Sequence, residues 1–360
     1  MIVAVDAAPA LRPQRTGTEV YARAILEALA RSRGDRILRG YVNAPVAPAW
    51  LLGDVEWRPI PFPRLWTHWR FARAIARDRP DVVFVPSHVL PFVLRAPGVA
   101  TIHDVGHRYD ARAYRPADWL YLELTTRWMA RRARRLIAVS QATADDLQRR
   151  YGVEASRVTV IHSGVDPALR EPAAAEVARV REAYALPARY FLYLGRNHPR
   201  KNLPFLRRSF VQARHDGMRA GLVLAGPGHP PAAEDGVRAL SYVPPQDLPA
   251  LYAGAIALVL PSRFEGFGFP ALEAMRCGTA VIASTAGALP EIVDSAGLLL
   301  DPADGPGWIA AMRRLDEDET ERQRLIAAGR IWSARFSWAD AAAATWRVLE
   351  EARDQRAAAR

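Results

Sequence analysis

Residues 195–202 read GRNHPRKN, and the lysine in that stretch, Lys201, is the only one in the chain; every other member of its 49 Lys plus Arg residues is arginine. Arg196 and Lys201 lie five positions apart across a turn containing Pro199 and can converge on one anion. A guanidinium offers a planar fork, whereas an ammonium is a compact charge able to bridge oxygens of neighbouring phosphates, so the pair suits a diphosphate. A second stretch, PSRFEGFGFPALEAMRCG over residues 261–278, carries the complementary chemistry. Gly266 and Gly268 precede a helix that Pro270 can begin and Gly278 can end. Glycines before a helix N-terminus let backbone N–H groups approach a phosphate, and the helix dipole favours the negative charge. Glu265 falls in the loop and Glu273 in the expected first helical turn, eight positions on. Carboxylates accept paired hydroxyls well, so the two could grip sugar rings on either side of a diphosphate.

Both stretches follow apolar runs. IVAVD, DVVFVPS, VATIHD, RLIAVS and VTVIHSG in the first half, then YFLYLGR, GLVLAG, AIALVLPS, TAVIAS and AGLLLDP, read as strands separated by helical patterns, the first helix spanning about Glu19–Ala30. Apolar strands alternating with helices predict parallel sheets covered on both faces. Two such series predict two doubly wound domains, with the join in the proline-bearing segment around Asp166–Ala188. The expected boundaries are 1–167, 168–337 and a terminal helix, 338–360, free to pack on either domain. In open sheets of this kind ligands sit off the carboxyl ends of the strands, and the crevice between two domains is the expected site.

The chain has 360 residues, 50% apolar and 24% charged, the profile of a globular protein. Its single cysteine, Cys277, excludes an intramolecular disulfide and suits a reducing cytoplasm. The opening MIVAVDAAPA reads as a first strand rather than a secretion signal, and no apolar run is long enough to span a bilayer. The formal charge of +11 is concentrated in the first half, where residues 1–170 hold 26 arginines against 16 acidic residues. Arginine enrichment explains arginine over lysine but not this asymmetry, which implies an acidic partner. Six of the ten tryptophans lie in the first 130 residues: Trp50, Trp57, Trp66, Trp69, Trp119 and Trp128. Arg70, Arg73 and Arg77, with Trp66 a turn before them, and Arg127, Arg131, Arg134 and Arg135 form two expected basic helix faces suited to anionic lipid headgroups. Solvated helices whose tryptophans pack inward are the alternative.

EGFGFPALE, with a glutamate at each end, resembles the E-x7-E signature of the family 4 retaining glycosyltransferases, which have the GT-B architecture. LYLGR…RKN, VLAG, EAMRCGTAVIAS and LPEIV, and IHD, IAVSQAT and SGVD in the first half, occur in that family's order. The resemblance implies a nucleotide-sugar donor and a glycan or lipid-linked acceptor, in the synthesis of bacterial surface polysaccharide or glycolipid, with GDP-mannose the preferred donor. Arg196 and Lys201 would hold the diphosphate, Glu273 the ribose and Glu265 the transferred sugar. Phe267, Gly268 and Phe269 would complete the sugar and phosphate pocket through their backbone, and Tyr242 and Val243 would lie at the nucleobase. His103 would face the donor sugar, and Gly17 would allow close approach of backbone to donor and acceptor. Ser163 and Ser241 stand where the family often has Asn and Gly. No cofactor or metal is expected: the DED run at 316–318 reads as a solvated helix face. The implied location is cytoplasmic, with peripheral attachment to the inner face of the membrane. An epimerase or a phosphorylase of the same fold, the latter with Lys201 as the one possible Schiff base, and a nucleic-acid-binding protein exploiting the basic half are the competing readings. No recognisable nucleic-acid-binding module supports the last.

Overall fold

Nearly unbroken apolar runs become buried central strands because both sheet faces are covered by helices. The computed structural model describes residues 1–12, 16–45, 54–62, 66–87, 89–229 and 234–357. The chain divides into two compact units, Met1–Gly164 with Ser337–Arg360, and Val165–Phe336, so that it passes between them at 164–165 and again at 336–337.

The first unit carries β1 (Ile2–Asp6), β2 (Ile37–Val42), β3 (Glu56–Pro59), β4 (Val82–Val85), β5 (Gly98–Ile102), β6 (Arg135–Ala138) and β7 (Val158–Val160). They form one parallel sheet in the order β3-β2-β1-β4-β5-β6-β7. Its helices are α1 (Gly17–Arg31), α2 (Ala72–Asp78), α3 (Pro116–Arg132) and α4 (Gln141–Tyr151). Glu19 accepts a hydrogen bond from the Thr16 amide at 2.9 Å, half of a capping box that fixes the start of α1. Tyr21, Ile25, Leu26 and Leu29 then turn one stripe of that helix into the core. A π-helical turn, Thr67–Phe71, leads into α2. The C-terminal helix, Trp338–Ala357, packs on α1, β4, β5 and β6 of this unit. Arg36 to Glu350 at 2.6 Å and Arg135 to Glu351 at 2.8 Å tie it there.

The second unit carries β8 (Tyr190–Leu194), β9 (Gly221–Ala225), β10 (Val237–Leu240), β11 (Ala257–Leu260), β12 (Ala280–Ser284) and β13 (Leu298–Leu300), again parallel, in the order β10-β9-β8-β11-β12-β13. Around it run α5 (Ala174–Ala183), α6 (Leu203–His215), α7 (Leu248–Ala253), α8 (Phe269–Arg276), α9 (Leu289–Val293), α10 (Gly305–Glu317) and α11 (Glu319–Ser333).

Strands β2, β3 and β10 were not legible as apolar runs. Arg39 interrupts β2 and pairs with Glu56 of the edge strand β3 at 2.8 Å, and β10 is likewise an edge strand with Arg238 exposed. Of the two expected basic helix faces, Arg70, Arg73 and Arg77 are exposed along the turn 67–71 and α2, whereas the second is cut short. Trp66 is a core residue, stacked on Phe71 at 5.0 Å, while its neighbour Trp69 is exposed. Arg127 pairs with Glu123, and α3 ends at Arg132, which puts Arg134 and Arg135 outside the helical spacing that would align them. Trp50 lies outside the described residues.

Candidate active site

Four loops at the carboxyl edge of the second sheet form one hydrogen-bonded assembly. The loop after β8 ends in a tight turn in which the Lys201 amide donates to the His198 carbonyl at 2.8 Å. Asn202 follows in a left-handed conformation, which asparagine tolerates better than most residues, and opens α6. The loop after β9 docks on this segment. The Gly195 amide donates to the Ala225 carbonyl, Asn197 to the Pro227 carbonyl, and the His229 ring to the Gly195 carbonyl at 2.8 Å. Gly226 is required here: at φ +126° a Cβ would lie 2.4 Å from the Gly195 oxygen.

Glu265 is the centre of the assembly. Its Oε1 accepts from Lys201 Nζ at 2.5 Å and from the Ser262 hydroxyl at 2.6 Å; its Oε2 accepts from Arg200 Nη1 at 3.0 Å. Arg200 Nη1 also donates to the Phe264 carbonyl, and the Arg200 carbonyl accepts from the Arg263 amide, so the two loops are stitched together. The loop after β12 supports the glutamate from behind. Ala288 donates its amide to the Glu265 carbonyl at 2.9 Å, and Gly287, at φ +61°, leaves room that a Cβ would fill at 2.3 Å from that same oxygen. Burial of the side chain would by itself raise the Glu265 carboxyl. The Lys201 and Arg200 charges and the bonds from Lys201 and Ser262 overcome it and hold the group at about 2. Glu265 is therefore a fixed anion at neutral pH.

Beside it, Gly268 caps α8 at φ +104°, and no acidic residue occupies the first turn of that helix, so its positive end is not neutralised from within. Phe267 and Phe269 flank the cap with ring centroids 4.9 Å apart. Glu273 sits on the fifth residue of α8, in its second turn rather than the first. Burial raises its carboxyl above the ordinary range, against the Tyr252 hydroxyl, which donates to Oε2 at 2.7 Å. At the end of β10 the Ser241 carbonyl accepts from the Gly226 amide, Tyr242 is exposed and Val243 is buried.

Arg196 shares the Lys201 loop, but its exposed guanidinium makes no hydrogen bond or ion pair among the described residues. The structure thus brings Lys201 and Glu265 together and adds Arg200 and Ser262, which the sequence reading did not single out. Arginine at position 200 looked like one more surface charge. Only the fold of the β11 loop turns Glu265 back onto it.

In the first unit, His103 directly follows β5. Its Nε2–H donates to the Pro86 carbonyl at 2.8 Å, and its ring meets Tyr21 edge-on at 4.8 Å. Burial lowers its pKa, so the ring is neutral at pH 7 and Nδ1 is left as the acceptor. Gly17 is the first residue of α1 rather than part of the preceding loop. Asp6, at the carboxyl end of β1, is wholly buried; burial pushes its carboxyl up to about 7, and Oδ2 has no hydrogen-bond partner among the described residues. No helix among those residues is long and apolar enough to cross a membrane. The 316–318 acids have structural partners: Asp316 binds Arg189, and Asp318 caps α11.

Two family models match the chain: "Glycosyltransferase Family 4" over residues 15–169 and "Glycosyl transferases group 1" over residues 188–318. The O-antigen chain mannosyltransferase B of Escherichia coli is 33% identical over 279 residues, 73% of this chain and 72% of the relative. The MMP alpha-(1->4)-mannosyltransferase of Mycolicibacterium hassiacum is 32% identical over 278 residues, 71% of this chain and 66% of the relative. Among solved structures, Anabaena HepE in complex with UDP-glucose superposes with a TM-score of 0.75 at 19% identity, covering 97% of this chain and 99% of that one.

Proposed function

Because the chain belongs to glycosyltransferase family 4 and has the GT-B fold, we propose that it is a retaining hexosyltransferase that draws on a nucleotide-sugar, with GDP-mannose as preferred donor, and glycosylates a glycan or lipid-linked acceptor of surface polysaccharide or glycolipid synthesis. The observation that carries the reading is the buried Glu265 held by the half-buried Lys201 and Arg200, beside the N-terminus of α8, whose first turn carries no acidic residue. The mannosyltransferase relatives support the choice of sugar, and the UDP-glucose bound to HepE supports a nucleotide-sugar donor.

Breaking the donor's glycosidic bond puts positive charge on the anomeric carbon and negative charge on the leaving diphosphate. Lys201, paired with the Glu265 carboxylate, brings its ammonium charge to the loop where the phosphates would lie. Arg196, exposed on the same loop, and the α8 terminus add to the neutralisation, and donors placed ahead of the charge they stabilise commonly supply the largest share of catalysis. Two cations and a helix end make a metal unnecessary in this reading. Glu265, anchored through three bonds, presents a fixed anion to the sugar hydroxyls; Glu273 takes the ribose, and His103 offers Nδ1 to a hydroxyl. In a front-face route the departing phosphate oxygen accepts the proton of the acceptor hydroxyl as that oxygen bonds the anomeric carbon, on the face the phosphate leaves. Net charge and atoms balance without a further base.

Proton NMR of GDP-mannose turnover tests the assignment. The sugar initially transferred, to water in the absence of acceptor, is expected as the α anomer, the configuration it has in the donor; initial β-mannose would exclude retention, and no turnover of any nucleotide-sugar would exclude the enzyme class.

A further inference from the structure

The segment that follows His103 is clamped more heavily than a surface loop needs to be. After β5 the chain runs through a single helical turn, Gly106–Arg108, before α3 begins at Pro116. His107 is buried there, and its Nε2 lies 3.2 Å from Oε2 of Glu123 on α3 and 3.1 Å from the Tyr151 hydroxyl at the end of α4. Arg108 reaches the other oxygen of the same carboxylate, with Nη2 3.0 Å from Oε1. The Tyr109 hydroxyl donates to the Asp146 carboxylate of α4 at 2.8 Å. Three consecutive side chains of one loop are thus tied to two helices.

Glu123 is the hub of this clamp. It is 4% exposed, and Arg127 Nε at 2.5 Å and the Tyr151 hydroxyl at 2.9 Å also donate to it. Burial by itself would raise its carboxyl. The bonds from Arg127, Tyr151 and His107 and the Arg108 charge overcome this and keep it below the ordinary range, so it is an anion at neutral pH. A buried charge cluster adds little net stability over an apolar core of the same volume, and its better-attested use is to hold one geometry. The geometry held here is that of a half-buried histidine at the carboxyl edge of the sheet. Helix α4 grips that residue directly as well, since Thr143 Oγ1 donates to the His103 carbonyl at 3.3 Å.

We propose that Glu123, acting through His107 and Arg108, is a positioning residue that fixes His103 in the orientation in which Nδ1 meets the sugar hydroxyl. This rests on the reading of His103 as a sugar-binding group. The Pro86 carbonyl holds one ring nitrogen, and the Glu123 clamp holds the chain beyond the ring, so that neither the backbone nor the imidazole is free to swing.

A double-mutant cycle on GDP-mannose turnover tests this. Glu123→Gln keeps the shape of the side chain and gives up its charge. Since a misplacement of about 1 Å can cost on the order of 100-fold, a fall in kcat of about tenfold to 100-fold is expected. Calorimetric affinity for GDP, which lacks the transferred sugar, is expected to stay within about twofold, and this also reports that the variant folds. In a His103→Ala background the same substitution is expected to cost less than about twofold, because the residue it positions is gone, whereas a merely structural loss multiplies in both backgrounds. Arg108→Met, at a half-buried side chain, goes through the same cycle and supplies the answer if Glu123→Gln does not fold, with a fall of about tenfold expected. Wild-type kcat in these variants, or an equal fall with and without His103, overturns the proposal. A wild-type protein that turns over no nucleotide-sugar overturns the reading beneath it, and the proposal with it.

Discussion

Replacing Lys201 by alanine separates what the ammonium does for the fold from what it does for the reaction. The Glu265 carboxyl stands at about 2 in the folded chain against an ordinary 4.5. At about 1.4 kcal/mol per pH unit, that gap amounts to roughly 3 kcal/mol of stability, present above the unfolded value and lost as pH falls through the folded one. Lys201 shares it with Arg200 and Ser262 and is the largest of the influences that overcome burial, so its removal costs on the order of the whole gap, roughly 3 kcal/mol. Urea unfolding of Lys201→Ala should therefore show a loss of that size at pH 7, unchanged down to about pH 4.5 and shrinking toward zero near pH 2. The same variant, still folded at pH 7, should lose about 100-fold or more in single-turnover transfer, because the leaving diphosphate loses a placed cation. Lys201→Arg keeps the charge and should recover most of the stability. It should recover less of the rate, since a planar fork cannot occupy the position of a compact ammonium wedged against Glu265 and the phosphates. Transfer within twofold of wild type in Lys201→Ala, or a stability loss that persists undiminished in acid, would refute the assignment of this ion pair.

Gly287→Ala puts a methyl group into the Glu265 backbone and a side chain at positive φ; a loss of more than about 1 kcal/mol in denaturant melts and a fall in kcat are expected, and neutrality in both would contradict the buttress. Tyr252→Phe removes a 2.7 Å bond to Glu273 and should cost about 1 kcal/mol while raising the donor KM more than it lowers kcat, as steady-state kinetics would show. Asp6→Asn relieves a carboxyl that burial holds at about 7, whose native form resists the ionisation that the unfolded chain undergoes near 4. The wild type loses stability as pH rises from about 4 to 7, and the variant should be more stable by on the order of 1–3 kcal/mol at pH 8 and by far less at pH 4, in parallel thermal melts.

Burial on both faces made the central strands readable, since runs such as VVFV and YFLYL leave no position for a polar side chain. The same logic hid β2, β3 and β10, where one side or edge meets solvent and Arg39, Glu56 and Arg238 break the run. Gly268 and Lys201 could be singled out because each is anomalous in its own short stretch. Arg200 could not, because its role depends on a hydrogen bond to a residue 65 positions away. Gly287 and Gly226 were equally silent: each is required only by the backbone of a different loop. Of the expected basic faces, the second was drawn too long, because helical spacing was carried past Arg132, where α3 ends, and beside the first Trp66 takes the inward-packing alternative, stacking on Phe71.

The central claim is that the Lys201 loop and the end of α8 recognise a diphosphate. Calorimetric titration of wild-type and Lys201→Ala protein with nucleoside monophosphates, the matching diphosphates and the diphosphate sugars addresses it directly. The account predicts that, for one base, the second phosphate tightens binding to the wild type by about tenfold or more, the worth of a hydrogen bond to a charged group, and that Lys201→Ala abolishes this increment. Equal affinity for mono- and diphosphate in the wild type, or an increment that survives the substitution, would contradict it.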